Sequence, residues 1–390
     1  MLNGGNKMDD IIYFDNAATT FPKPEEVYRF MDSFYRECGV NVGRGQHKLA
    51  AKAAALVSNT RKLLLELNHC PNRAVVFTPS ATEALNIIIN SVVKKDEFNV
   101  YLSPFEHNAV VRTINHLKQV YNITVHTLAF DKNDGIYELE KIEKQFCADK
   151  PDAVIISHAS NVCGVIAPIV EICSLSKKYD AVNIIDMCQT MGLINCNLNN
   201  DNIDYAVFAA HKTLYGAIGL GGFICRHNTK LEPLIYGGTG IDSANLNLPD
   251  TIPERYEVGS PNISAIAGLN ASLKWIDAIG KDNIYIKEQD NRKQLLNIIA
   301  KYDNIKTIFV FDESIGVVSC VFDGYSSDVI GQVLSDNNIA IRTGLHCSPN
   351  AHRFIGTFPA GTVRFSVSYF NTREDFEKLD KALEYIHKNS

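Results

Sequence analysis

Apolar positions between residues 24 and 225 recur with two periods. A spacing near 3.6 predicts helices over 24–36, 47–67, 82–93, 109–120 and 170–179. Short β-rich runs predict strands over 74–78, 99–103, 124–128, 152–157, 182–186 and 205–209. Apolar strands that alternate with helices imply βαβ units, and so a largely parallel sheet covered on both faces. Ligands of such sheets bind beyond the carboxyl ends of the strands, which makes the polar residues there the candidates.

The pattern changes after the Gly/Pro/Asn-rich stretch 236–262. Helical periods cover 265–279 and 282–301, strand-like runs cover 306–311 and 317–322, and 373–388 reads as an amphipathic helix. The expected fold class is α/β, a large domain with a mostly parallel sheet sandwiched by helices plus a smaller α+β C-terminal domain.

Composition narrows the function. The 390 residues, 46% hydrophobic and 21% charged, suit a globular enzyme with room for two domains. A net charge of -6 offers no footprint for nucleic acid, so a small-molecule substrate is expected. Apolar runs are too short for a membrane span, and residues 1–10 lack the apolar core of a signal peptide, so a cytoplasmic location is expected. None of the 10 cysteines forms a C-x-x-C pair, and no metal is expected. Cysteines scattered in this way are expected to be reduced, buried and inert, except Cys347.

Two segments carry chemistry when taken together. V-N-I-I-D-M-C-Q (182–189) ends a strand at Asp186; alone, such an Asp serves equally well as a helix cap. A-A-H-K-T-L-Y-G-A-I-G-L-G-G (209–222) places His211 and Lys212 between an apolar strand and a glycine-rich passage. Pyridoxal phosphate needs both groups: an amine to hold it covalently, and an anion that keeps its pyridine nitrogen protonated. H-A-S-N-V-C-G-V (158–165) adds Asn161 at the same edge. F-T-P-S-A-T-E-A-L-N (77–86) places Ala81 and Thr82 where a helix start suits a phosphate. S-P-F-E-H-N-A-V (103–110) offers His107, a ring able to stack on a flat cofactor.

The stretch 341–366 holds the remaining candidate. Arg342, His346, His352 and Arg353 flank Cys347 and predict a cationic setting that favours thiolate. Pro349, Gly356, Pro359 and Gly361 predict a loop. The alternative is an incidental surface thiol.

Ten segments in order resemble the cysteine desulfurase and selenocysteine lyase branch of the class V aminotransferase superfamily. They are Y-F-D-N-A-A-T-T, N-V-G-R-G-Q-H, S-A-T-E-A-L-N, E-H-N-A-V, S-N-V-C-G, D-M-C-Q, H-K-T-L-Y-G, R-Y-E-V-G-S-P-N, R-T-G-L-H-C and T-V-R-F-S. The resemblance implies the pyridoxal-phosphate-dependent transferase fold type I, with a large cofactor-binding domain over 20–255. A small domain over 1–19 and 256–390 would carry the cysteine loop. Lys212 would hold the cofactor, Asp186 would pair with its ring nitrogen, and Asn161 and Gln189 would bond its hydroxyl. His107 would stack on the ring, and Thr82, Ala81, His211 and Thr239 would hold the phosphate, Thr239 from the loop G-G-T-G of a partner subunit. Arg364 would grip the substrate carboxylate, with Arg342, Asn16, Ala17 and His47 nearby.

The implied activity converts L-cysteine to L-alanine and leaves the sulfur on Cys347 as a persulfide. Its implied partners are a second copy of the chain and a sulfur-acceptor protein, in iron–sulfur cluster assembly. The short interval from Cys347 to Arg364 is similar to the SufS-type group. A selenocysteine lyase or class V aminotransferase would use the same cofactor site without the Cys347 persulfide. A non-catalytic relative would be expected to have lost Lys212, Asp186 and His107.

The pattern departs from the family at Ala209 and Ala210, where a small hydroxyl residue and a glycine are usual. One phosphate bond, worth about 1.5–3 kcal/mol, is then missing unless Thr239 or Thr213 replaces it. Met187 and Cys188 are bulkier than usual, and Cys163 and Cys188 are expected to pack near the cofactor.

Overall fold

The computed structural model describes residues 11–42, 45–241 and 244–389. Gly43 and Arg44 of N-V-G-R-G-Q-H, and the residues 1–10 assigned to the small domain, lie outside that set.

Seven strands form the central sheet, in the order Ala74–Thr78, Gly221–Cys225, Tyr205–Ala209, Val182–Asp186, Ala153–Ser157, Phe98–Leu102 and Ile123–Thr127. All run the same way except Gly221–Cys225, which is antiparallel to both its neighbours. The six predicted strands are present, displaced by at most one residue. Their side chains alternate between two cores, as a period of two requires. Val75, Phe77, Val154 and Ile156 enter one core, and Val76, Val100, Ala153 and Ile155 the other. Helices Lys48–Leu67, Leu139–Ala148, Ile169–Lys177 and Ile263–Ile279 feed the first core; Ala81–Val92 and Asn108–Leu117 feed the second.

The seventh strand was hidden by its composition, since glycine is a poor strand former. Its glycine has a purpose here: a Cβ on Gly221 would lie 2.5 Å from the Ala81 nitrogen. Only glycine lets this strand pass so close to the helix start.

A second sheet, antiparallel throughout, runs Ile305–Ile308, Val317–Phe322, Thr362–Ser366 and Arg342–Gly344. It packs on Lys281–Ile299 and Arg373–Lys388 through Leu295, Ile298, Phe376, Leu379 and Leu383. Ile12–Tyr13 pairs with Ile339–Ala340, so the amino-terminal segment reaches this second body. Helix Ile263–Ile279, however, buries Ile266, Leu269 and Ile276 in the large core. We therefore propose the domain boundary near Gly280 instead of residue 256.

The predicted loop over 341–366 needs correction. It contains strands Arg342–Gly344 and Thr362–Ser366 with helix Pro349–Ile355 between them. Pro349 sits at the helix start, where its missing N–H costs nothing, and Gly356 closes the helix at φ 85°. The same two residues that punctuate loops here cap a helix. Among the described residues no helix is long and apolar enough to cross a membrane.

Candidate active site

A cavity of about 370 Å³ opens at the carboxyl edge of the central sheet. Its lining includes Ala17, Ala81, Thr82, His107, Asn161, Asp186, Gln189, His211, Lys212, Arg342, Cys347 and Arg364. Residues spread over more than 340 positions thus share one chamber.

The sheet explains the first wall. Ser157 and Asp186 are register partners at the ends of adjacent strands, and the next strand delivers His211 and Lys212 just beyond Ala209. The turn that carries Lys212 is clamped from outside: Thr20 Oγ1 donates to the Lys212 carbonyl, and Thr19 Oγ1 and Lys23 Nζ donate to the His211 carbonyl. Sequence reasoning missed this clamp, although A-A-T-T was among the quoted segments. Asp186 Oδ1 accepts from the Cys188 amide, which fixes the carboxylate in the cavity wall. Burial lowers the Lys23 ammonium to about 7, as expected of a cation with no anion beside it.

Histidines on this wall are neutral near pH 7. His107 caps helix Asn108–Leu117, its Nδ1 accepting from the Ala109 amide, so its ring proton sits on Nε2. Burial, then Lys212, lowers His107 to about 4, and burial with Lys212 and Lys23 lowers His211 to about 4.

The second wall comes from the small sheet. Arg342 and Arg364 are cross-strand partners, and both reach the cavity. Arg342 Nη2 lies 3.5 Å from Cys347 Sγ, and the thiol is partly exposed. His346 and Cys347 adopt left-handed backbone at φ 48° and 60°. Asn161 holds that conformation: its Nδ2 donates to the His346 carbonyl at 2.7 Å, and its Oδ1 accepts from Ser348 Oγ at 2.9 Å. The Asn108 amide binds the Cys347 carbonyl at 2.7 Å.

The cationic setting predicted for Cys347 is therefore narrower than the sequence suggested. His346 is buried, bonded to Thr362 Oγ1, and pushed down to about 2 by burial and the nearby arginines. His352 is lowered to about 4 by burial. Arg353 stacks on the Phe358 ring instead. Arg342 is the cation in contact with the thiol, and Arg364 lies near enough to interact with it electrostatically.

Three candidates are not brought to the cavity in this chain. His47 is exposed and caps helix Lys48–Leu67 by accepting from the Ala50 amide. Asn16 is buried and ties the strand carrying Arg364 to the amino-terminal segment through the Ser366 carbonyl. Thr239 lies in the 237–240 loop, its hydroxyl donating to the Ile241 carbonyl.

The residues present fit pyridoxal phosphate. In the first turn of helix Ala81–Val92 the Glu83 amide is taken by the Ser80 hydroxyl, while the Ala81 and Thr82 amides precede any helical acceptor and would be free to bind a phosphate. Buried His211 Nδ1 has no partner among the described residues, and neither has buried Thr213 Oγ1. Thr213 does not line the cavity, so the hydroxyl missing at Ala209 is not restored from there.

The arrangement has counterparts. The chain is 29% identical to a cysteine desulfurase of Escherichia coli, over 97% of this chain and 94% of the relative. It is 27% identical to a probable cysteine desulfurase of Halalkalibacterium halodurans, over 96% and 92%. The solved cysteine desulfurase of Thermococcus onnurineus NA1 superposes with a TM-score of 0.90 at 27% identity, covering 97% of this chain and 95% of that one. The fold is the pyridoxal-phosphate-dependent transferase fold type I. A model of the class-V aminotransferases matches residues 12–379. A lysine, a buried carboxylate and a phosphate-ready helix start therefore meet on a matching framework, and the chain belongs to the class-V aminotransferase family, whose cofactor is pyridoxal phosphate.

Proposed function

We propose that the chain is a cysteine desulfurase that takes sulfur from L-cysteine onto Cys347 and releases L-alanine. One observation carries the reading. A partly exposed thiol, with an arginine 3.5 Å from its sulfur, shares a cavity with Lys212 and Arg364.

Lys212, Asp186, Gln189, His107 and the start of helix Ala81–Val92 would hold the cofactor. When bound, it supplies an electron sink for the substrate Cα. Arg364 binds the α-carboxylate through its planar guanidinium, which orients the Cα–H bond toward Lys212. Lys212 Nζ takes the Cα proton and returns it during turnover. Arg342 Nη2, 3.5 Å from Cys347 Sγ, places a positive charge beside the attacking sulfur. Cys347 Sγ attacks the substrate sulfur: an S–S bond forms, the C–S bond breaks, and its electron pair stays with the carbon fragment. That fragment takes up a proton and leaves as alanine, while Cys347 keeps the persulfide. His107 exchanges protons through Nε2. A thiol or an acceptor protein then removes the sulfur, which would feed iron–sulfur cluster assembly in the cytoplasm. A partner copy of the chain would bring Thr239 to the phosphate.

The test is purified holoenzyme with L-cysteine, measuring alanine and sulfide with and without a thiol reductant. Cys347→Ser should stop alanine formation and leave cofactor absorbance intact. Alanine production unaffected by that change would overturn the proposal in favour of cofactor chemistry without a persulfide.

A further inference from the structure

Arg364 is 1% exposed, and its guanidinium is engaged by groups of the chain itself. Its Nη2 lies 2.6 Å from Asp15 Oδ1, its Nη1 donates to the Asn161 carbonyl at 2.9 Å, and its Nε has no partner among the described residues. Asp15 arrives from the other end of the chain, fixed by a parallel bridge to Ser366 two residues past Arg364. Among the described residues, Asp15 is the only carboxylate within ion-pair distance of Arg364 or of its cross-strand neighbour Arg342.

A buried guanidinium with no anion is costly, and Asp15 is the carboxylate that the fold itself supplies to Arg364. Arg364 keeps an unpartnered Nε–H among the described residues and lines the cavity, and a substrate carboxylate bound to it would meet a guanidinium whose charge is already shared. Two carboxylates on one guanidinium repel each other.

We propose that Asp15 is a stand-in for the substrate carboxylate. It holds Arg364 in register between turnovers and weakens its grip on amino acids, so that product leaves. The proposal rests on the reading of Arg364 as the α-carboxylate site. Asp15 is a positioning residue, because it acts through Arg364.

Asp15→Asn keeps an oxygen acceptor of the same shape and removes the charge. Holoenzyme titrated with L-alanine and followed by cofactor absorbance should bind it about tenfold more tightly in this variant, the scale of one lost charge competing for a buried partner. Ethylamine, which has the amine but no carboxylate, should bind unchanged. Asp15→Ser gives a second measurement if the amide packs poorly. Unchanged or weaker alanine binding in both variants, with a lower melting temperature, would mean that Asp15 is only structural. Equal tightening of ethylamine would overturn the proposal by locating the effect at the cofactor. Arg364→Gln separates the two claims: insensitive alanine binding there removes the carboxylate assignment, and the Asp15 proposal with it.

Discussion

The two walls of the cavity are built on different principles. The wall from the large sheet places Asp186 and Lys212 by strand register, with little irregular chain between the hydrogen-bonded ladder and the functional atoms. The wall from the small sheet places Cys347 on two consecutive left-handed residues, a conformation that non-glycine side chains adopt at a cost of about 1 kcal/mol or more each. The first wall is positioned by its fold, the second by side chains borrowed from the first. Asn161, at the edge of the large sheet, both fixes the Cys347 loop and accepts from Arg364. Cofactor chemistry should therefore survive damage to the second wall, but sulfur transfer should weaken with the loss of Asn161.

The largest expected effect lies on the first wall. Lys212→Ala should lower turnover by about 10³-fold or more and abolish the absorbance band of the lysine-bound cofactor. Retention of that band would break the comparison at its root. On the second wall, Arg364→Lys should lower kcat/KM for L-cysteine about 10- to 100-fold, mainly through KM, because a point charge cannot reproduce two parallel bonds. Its cofactor band should be unchanged.

These walls also differ in how legible they were in the sequence. Asp186, Asn161, His211 and Lys212 follow apolar runs that only a parallel sheet explains, so their convergence could be read from strand ends. For the second wall, residue type was informative but geometry was not. The prolines and glycines of 341–366 predicted a loop, while Pro349 and Gly356 act at the two ends of a helix. The histidines around Cys347 looked like charges, yet burial makes them neutral, and burial cannot be read from neighbours in sequence. Asp15 lay inside a quoted segment without a role, because its partner is 349 residues away. The strand Gly221–Cys225 was missed since its glycines serve a close approach that no local pattern records.

Asn161→Ala tests the dependence of one wall on the other. It leaves the His346 carbonyl and the Ser348 hydroxyl buried without partners, at about 2–3 kcal/mol for the pair. Thermal unfolding should register that loss. Sulfide release should fall further than cofactor absorbance, because freed left-handed residues relax and move the thiol from its position beside Arg342. Equal losses in both readouts would mean that the loop holds itself.

The pH response sharpens the contrast most finely, because buried acids and buried bases oppose each other. Glu106, beside the first wall, accepts from Ser103 Oγ and from the Ser157 amide and hydroxyl. Burial, reinforced by Asp186 and opposed by the serine bonds, raises it to about 8. A carboxyl raised in the fold stays protonated where the unfolded chain has already ionised. Its contribution is complete below about pH 4.5 and is lost as pH rises to about 8, a few kcal/mol at ~1.4 kcal/mol per pH unit. Histidines on both walls act in the opposite sense. His107, His211 and His352, each lowered to about 4, contribute fully above about pH 6.5, and that contribution is lost as pH falls toward 4. Glu106→Gln can keep the serine bonds, its amide nitrogen donating to Ser157 Oγ, and it removes the ionisation. The variant should therefore lose much of the decline in melting temperature between pH 6 and 8.5, and its decline on acidification from pH 6 to 4.5 should steepen, because Glu106 of the parent opposes the histidines there. Glu288, buried and raised to about 7, should account for what alkaline decline remains. An unchanged alkaline slope in Glu106→Gln would place the responsible buried acid elsewhere in the fold.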